Sequence, residues 1–482
     1  MKDGNPPESS ARKRNIALII RASSAVLLCG LYFFIVIYPT YKANKEYAEQ
    51  LAGSWVCMES CILEPGDTAI TAGWSVHRST ESPSALERLR FYAARLSNSI
   101  ARSARASVDI NNDYERTAQV TFYGTTCTFH YPTQRLVLYG LSDDDLSTKW
   151  LELSGGRYDN LLYDCLSIKE QMQLCDWAYL QLLNQISEKI CGIGNEAIFL
   201  QAYLYAQSGY KMRFATSADY RSLFMSVAAY PYLISRTFFR MDDGNYYLFP
   251  DPEGISLYIS MASFSRGDKY MSLAITTHQR FAEKPVKSQK KIIIDNQEVE
   301  LYVNENLLNF YKDYPKGYYD YDDDFCRLYA EPAMDDDVRR QVYPYLRQAI
   351  AGKSETEAVG YLLHWMQTQF DYKTDEEVWG YERAFFPVET MFYPYSDCED
   401  RSILFSRLIK DLVGSDVILL LVPEHMTAAV HFKQDESLHG TYLELEGKKY
   451  YVCDPSITGT GAPIGTDMKR MRNHPVRSVK IN

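Results

Sequence analysis

The chain has 482 residues, 46% of them hydrophobic and 23% charged, with a formal net charge of −11. That length allows roughly two to four domains with sizeable cores, and the composition is that of a globular protein rather than a disordered one. The acidic balance, with no basic patch interleaved with aromatics, argues against nucleic acid as a partner.

Met1 to Arg14 is polar and basic, carrying Lys2, Arg12, Lys13 and Arg14 against Asp3 and Glu8. Ala22 to Tyr38 is then almost wholly apolar and spans about 26 Å as a helix, enough for a bilayer; Asn15 to Ile20 extends it if Arg21 snorkels. No small-x-small cleavage site precedes Pro39, which favours an uncleaved anchor over a signal peptide, and Tyr32, Phe33, Phe34 and Tyr38 suit an interfacial belt. The expectation is a cytoplasmic tail at 1–14 and a single transmembrane anchor at 15–38. The basic flank keeps the N-terminus inside, with the bulk of the chain on the periplasmic or extracellular side.

Residues 50–150 predict a small accessory module, partly β, with a helical patch at 84–96 and strand-like alternation at 118–122 and 126–131. Residues 160–310 predict an α+β module: an amphipathic helix from Ser167 to Cys191, a helix from Gly194 to Gly209, a strand at 210–214, and a hairpin turn at 242–245 leading into Tyr246 to Phe249. The order helix, strand, hairpin, strand recurs around Cys398, so this module is expected to be a degenerate internal copy with Asn195 in the place of Cys398. Residues 311–337 form an acidic, tyrosine-rich stretch expected to be a solvated linker. Asp320, Asp322, Asp324 and Glu331 have calcium-loop spacing, but Phe325 stands where that loop needs glycine and Pro332 spoils its exit helix.

The ten cysteines are too few and too scattered for a disulfide scaffold, and no CxxC or thiol–histidine spacing makes a zinc site. Cys57 with Cys61, or Cys165 with Cys175, could pair in an oxidising compartment; the sequence leaves the reduced state equally open.

The last module, 338–482, carries the chemistry. Ser354-Glu-Thr-Glu357 is a capping box that starts a helix through Trp365 and Phe370. In Tyr393-Pro-Tyr-Ser-Asp-Cys-Glu-Asp-Arg-Ser402, Asp397 is an N-cap for a helix running to Gly414, which places Cys398 in its first turn. Unpaired N–H groups and the helix dipole there favour a thiolate, the nucleophilic form. Asp416 to Val422 is an apolar strand, His425 opens the next one, and a hairpin at 441–453 runs into Asp454-Pro-Ser456.

A cysteine opening a helix, then a histidine opening a strand, then an aspartate ending one, resembles the transglutaminase-like superfamily of papain-like thiol enzymes. The matching motifs are Phe370-Asp-Tyr372, Asp397-Cys-Glu-Asp-Arg-Ser402, Pro423-Glu-His-Met-Thr-Ala-Ala-Val430 and Tyr450-Tyr-Val-Cys-Asp-Pro-Ser456. They cover roughly residues 340–470, and together with the anchor resemble a membrane-anchored bacterial member. The resemblance implies an α+β fold in which the cysteine-bearing helix packs on an antiparallel sheet, with Cys398 as nucleophile, His425 as its base and Asp454 orienting the imidazole. It implies acyl transfer on a protein or peptide substrate through a cysteinyl thioester, hydrolysis favoured over transamidation, with no metal or organic cofactor. Gln367 and Tyr395 are candidates for oxyanion or supporting roles. Two positions depart from the common pattern: Met426 follows the histidine where Ala-Trp is frequent, and Glu424 precedes it where glycine is frequent. His431 is the backup base, but along a strand it should lie nearly ~20 Å from His425. His364 and His439 are read as surface or packing residues. The competing reading is a catalytically inactive binding or scaffold protein of the cell envelope that keeps the fold.

Overall fold

A computed structural model describes residues 57–58 and most of 115–481; the longest internal stretches outside it are 316–322 and 467–475. The expected anchor at 15–38 and the helical patch at 84–96 lie outside the described residues. Among those described, no helix is long and apolar enough to cross a membrane.

The chain is a mixed α+β protein with antiparallel sheets. One cluster of buried apolar side chains runs from Phe122 to Ile481, and two smaller ones stand apart from it, around Phe224 and around Leu420. The alternation at 118–131 forms a two-stranded hairpin, Glu115–Phe122 with Thr125–Pro132. The single helix expected from Ser167 to Cys191 is two, Asp159–Gln171 and Asp176–Cys191. They break because Gln173 takes a left-handed conformation (φ 52°) and the Met172 carbonyl accepts from Arg280 N–H instead of continuing the helix. Both Cys165 and Cys175 are free, buried thiols.

Helix α1 (Asn195–Gln207) leads into the first sheet. Its strands are β1 (Cys57–Met58), β2 (Met212–Ser217), β3 (Leu223–Tyr230), β4 (Phe238–Met241), β5 (Gly244–Phe249) and β6 (Leu257–Ile259), in the spatial order β1-β6-β2-β3-β5-β4; Met271–Ser272 adds a parallel pairing to β3.

The acidic stretch expected to be a solvated linker is in large part packed structure. Asp323–Ala330 is a helix whose Phe325, Cys326, Leu328 and Tyr329 are buried, the helix lying against the cysteine-bearing helix, while half-buried Asp323 and Asp324 meet Arg477 and the Tyr230 hydroxyl. Tyr311, Tyr314 and Tyr329 pack around Phe386. Helical spacing of the aromatics, hidden among aspartates, decides this segment.

Helix α2 (Cys398–Leu408) widens into a π-helical turn at Ile409–Val413 and stops at Gly414, whose φ of 80° closes the helix. The second sheet follows: β7 (Asp416–Val422), β8 (His425–His431), β9 (Tyr442–Leu445), β10 (Lys448–Cys453) and β11 (Arg477–Lys480), in the order β9-β10-β8-β7-β11. Buried Ile403, Leu404, Phe405 and Leu408 bind α2 into the core, with α2 lying against β8. That packing brings the start of the helix to the start of the strand.

Candidate active site

Asp397 caps α2 as expected, accepting from Asp400 N–H while the Asp400 carboxylate accepts from Asp397 N–H. The second Asp400 oxygen accepts from Phe385 N–H at 2.8 Å, which ties the helix start to the preceding loop. Cys398 is buried, and the Met426 N–H and the Tyr372 hydroxyl both face its sulfur. Ser402 Oγ donates to the carbonyls of Cys398 (2.7 Å) and Met426 (3.1 Å), which locks α2 to β8 beside the nucleophile.

His425 opens β8 opposite Val422, across the two-residue turn Pro423-Glu424. Glu424 has φ 57°, a left-handed conformation that favours glycine, which is the physical reason a glycine suits this position. His425 Nε2 meets Asp454 Oδ2 at 3.1 Å, both groups buried. With Nε2 committed, Nδ1 is the ring nitrogen left for proton exchange. Asp454 Oδ1 accepts from Ser456 N–H (2.9 Å) and Ser456 Oγ (2.6 Å). Burial works against the charged form of Asp454, but the hydrogen bond and charge of His425, with the Ser456 donors, outweigh it and hold the carboxyl below its usual range. A depressed carboxyl stabilises the fold fully above its unfolded pKa, about 3.9, and that contribution is lost as pH falls through the lower folded value. Acid unfolding of Asp454→Asn should therefore converge with wild type at the lowest pH, separate from it as pH rises towards about 4, and stay below it by a constant amount at higher pH. Parallel curves over the whole range would contradict this.

Gln367 is fully used. Its Nε2 donates to the carbonyls of Asp454 (2.7 Å) and Ala462 (3.2 Å), and its Oε1 accepts from Ala462 N–H (2.9 Å). It therefore fixes the loop carrying Asp454, and neither amide hydrogen is left for an oxyanion. Tyr395 is half-buried on a short parallel pairing with Asp371–Tyr372, its ring under the Lys373 ammonium at 3.9 Å. That pairing helps place Tyr372, not Tyr395, at the sulfur. His431 sits at the far end of β8, with Nδ1 on the Lys449 carbonyl, and His364 and His439 are exposed.

Two residues that the sequence reading did not single out shape the site. Arg401 is completely buried and spans it: Nη2 donates to Phe370 O (2.7 Å), Nε to Ser396 Oγ (3.3 Å) and Nη1 to Pro455 O (3.4 Å). Its contacts flank both Cys398 and Asp454 in sequence, so one guanidinium connects the nucleophile's helix with the aspartate's loop. An arginine one turn inside a buried helix face was the available signal. The other residue is Glu399, whose Oε2 accepts from the Cys398 thiol at 3.2 Å. Among the described residues no hydrogen bond joins Cys398 to His425.

This reverses the expected electrostatics. Burial, followed by the charge of Glu399, pushes the Cys398 thiol well above the usual cysteine range. The carboxylates of Asp375, Glu382, Asp397 and Glu399 lie within 4.8 Å of one another, a set that could hold a cation. Burial and mutual repulsion raise Asp375, Asp397 and Asp400. Removing the Glu399 charge with Glu399→Gln should shift the alkylation profile of Cys398 towards acid, with a rate near neutral pH about tenfold higher. Iodoacetamide kinetics against pH measure it, and an unmoved profile would show that Glu399 does not govern the thiol.

No family model, curated protein or solved structure matches the chain.

Proposed function

We propose that the chain is a thiol-dependent acyl-transfer enzyme with a transglutaminase-like, papain-like catalytic module, in which Cys398, His425 and Asp454 carry the reaction. The observation that supports it most is the buried His425–Asp454 pair at 3.1 Å, next in sequence to Met426, whose N–H faces the Cys398 sulfur. His425 Nδ1 takes the thiol proton as sulfur attacks an amide carbonyl, and Asp454 holds the tautomer and steadies the imidazolium. Backbone N–H groups at the start of α2 stabilise the developing oxyanion. Nδ1 then protonates the leaving amine, and water, or a second amine, releases the acyl group from sulfur. The substrate is a protein or peptide amide, hydrolysis is the favoured outcome, and the chemistry calls on no organic cofactor. The apolar segment at 15–38 holds the enzyme in the cytoplasmic membrane with the module on the periplasmic or extracellular side; protease treatment of intact cells, cleaving the module but not the N-terminal tail, tests that placement.

The second reading, an inactive binding or scaffold protein, is favoured by one observation: the resting thiol is bonded to Glu399 and held protonated. Incubation with p-nitrophenyl acetate, followed by intact-mass measurement and peptide mapping, separates the two. An acetyl group on Cys398 that turns over supports the enzyme; a folded protein that never acylates there leaves the binding protein.

A further inference from the structure

We propose that residues 195–259 are a second copy of the candidate site, silenced by Asn195. The first and second sheets share one design. Strands β4-β5-β3-β2-β6 lie side by side in the same order as β9-β10-β8-β7-β11, and every one of these neighbouring pairs is antiparallel. In both, a helix precedes the first strand and packs on the second, α1 on β3 and α2 on β8. The chain order of elements is also the same, including the last strand, which returns to pair with the first on the side away from the hairpin.

The register carries the likeness to single residues. Asn195 is the first residue of α1 as Cys398 is of α2. The same separation of 203 positions relates Asn195 to Cys398, Leu223 to Met426 and Met225 to Ala428. Met225 pairs with Phe249 as Ala428 pairs with Cys453. At the nucleophile's place the contact is also kept: Leu223 N–H donates to Asn195 Oδ1 at 2.9 Å, where Met426 N–H faces the Cys398 sulfur. Asn195 Nδ2 adds a bond to the Arg221 carbonyl at 2.9 Å, which a thiol could not make as well.

The remaining catalytic positions are empty of chemistry. By the same register Ser222, across from Ser217 as His425 is from Val422, stands at the base's place, and Pro250, after Phe249, stands at that of Asp454. No nucleophile, base or orienting carboxylate is left. The carboxamide instead staples the helix start to the end of the β2–β3 turn, at Arg221, and to the first residue of β3, Leu223. The first half thus serves as scaffold for the second, with which it shares its core.

The register predicts where a thiol–imidazole pair can be rebuilt. In the full chain, Asn195→Cys combined with Ser222→His should give a second iodoacetamide adduct, at position 195, forming about tenfold faster at pH 7 than in Asn195→Cys alone. Peptide mapping separates it from the adduct at Cys398, so the result does not depend on whether Cys398 is active. Equal rates at position 195 with and without Ser222→His would overturn the proposal. If the double variant does not fold, Asn195→Ala decides: a Tm lower by about 3 °C with an unchanged Cys398 alkylation rate is expected for a staple, and an unchanged Tm would overturn it.

Discussion

His425→Ala is expected to slow acylation of Cys398 by about 10²- to 10⁴-fold while the protein stays folded. The size follows from the state of the thiol. Burial and the neighbouring Glu399 hold the sulfur protonated, so attack depends on a base that takes the proton in the same step. His425 is buried at the end of β8, with Nε2 on Asp454 and Nδ1 left to act, and His431, the other imidazole on that strand, lies at its far end. His431→Ala, made in parallel, should change the rate by less than about twofold. Single-turnover acylation by p-nitrophenyl acetate measures both. Equal losses in the two variants would show that neither acts as the base.

Arg401→Met should have the largest effect on stability, a loss of roughly 3 kcal/mol or more, together with a loss of acylation. The guanidinium is fully buried and donates to three acceptors on three segments, Phe370, Ser396 and Pro455, each of which would be left unpaired away from water. Lys290 lies in the same interior, 3.8 Å over the Phe370 ring, and burial followed by the charge of Arg401 lowers its pKa to about 7. Arg401→Met would therefore raise the Lys290 pKa without replacing the lost hydrogen bonds, because the amine is not fork-shaped. Denaturant unfolding gives the stability change. Arg401→Lys should recover part of the stability but little of the acylation rate, since one ammonium cannot hold both the helix and the Asp454 loop. Full recovery of both by lysine would mean that only the charge matters.

Several elements were legible from local pattern. The Asp397 cap, the Ser354–Glu357 box and the strand starts at Asp416 and His425 depend on residues a few positions apart, where the backbone's own needs decide. The helix break at Met172–Cys175 was not legible, because a long-range bond from Arg280 stabilises it. Nor was the packing of 323–330, where abundant aspartates mask a buried aromatic stripe.

The sequence by itself determined which groups are available and in what order: a cysteine at a helix start, a histidine at a strand start, an aspartate at a strand end, and the asparagine at the start of α1. Only the tertiary structure decided their state. The charge on a thiol depends on what surrounds it, and burial with the neighbouring Glu399 raises Cys398. The reach of Arg401 to Phe370 and Pro455, and the occupation of Gln367 by the Asp454 loop, arise because segments distant in the chain meet in one interior where every buried donor must find an acceptor.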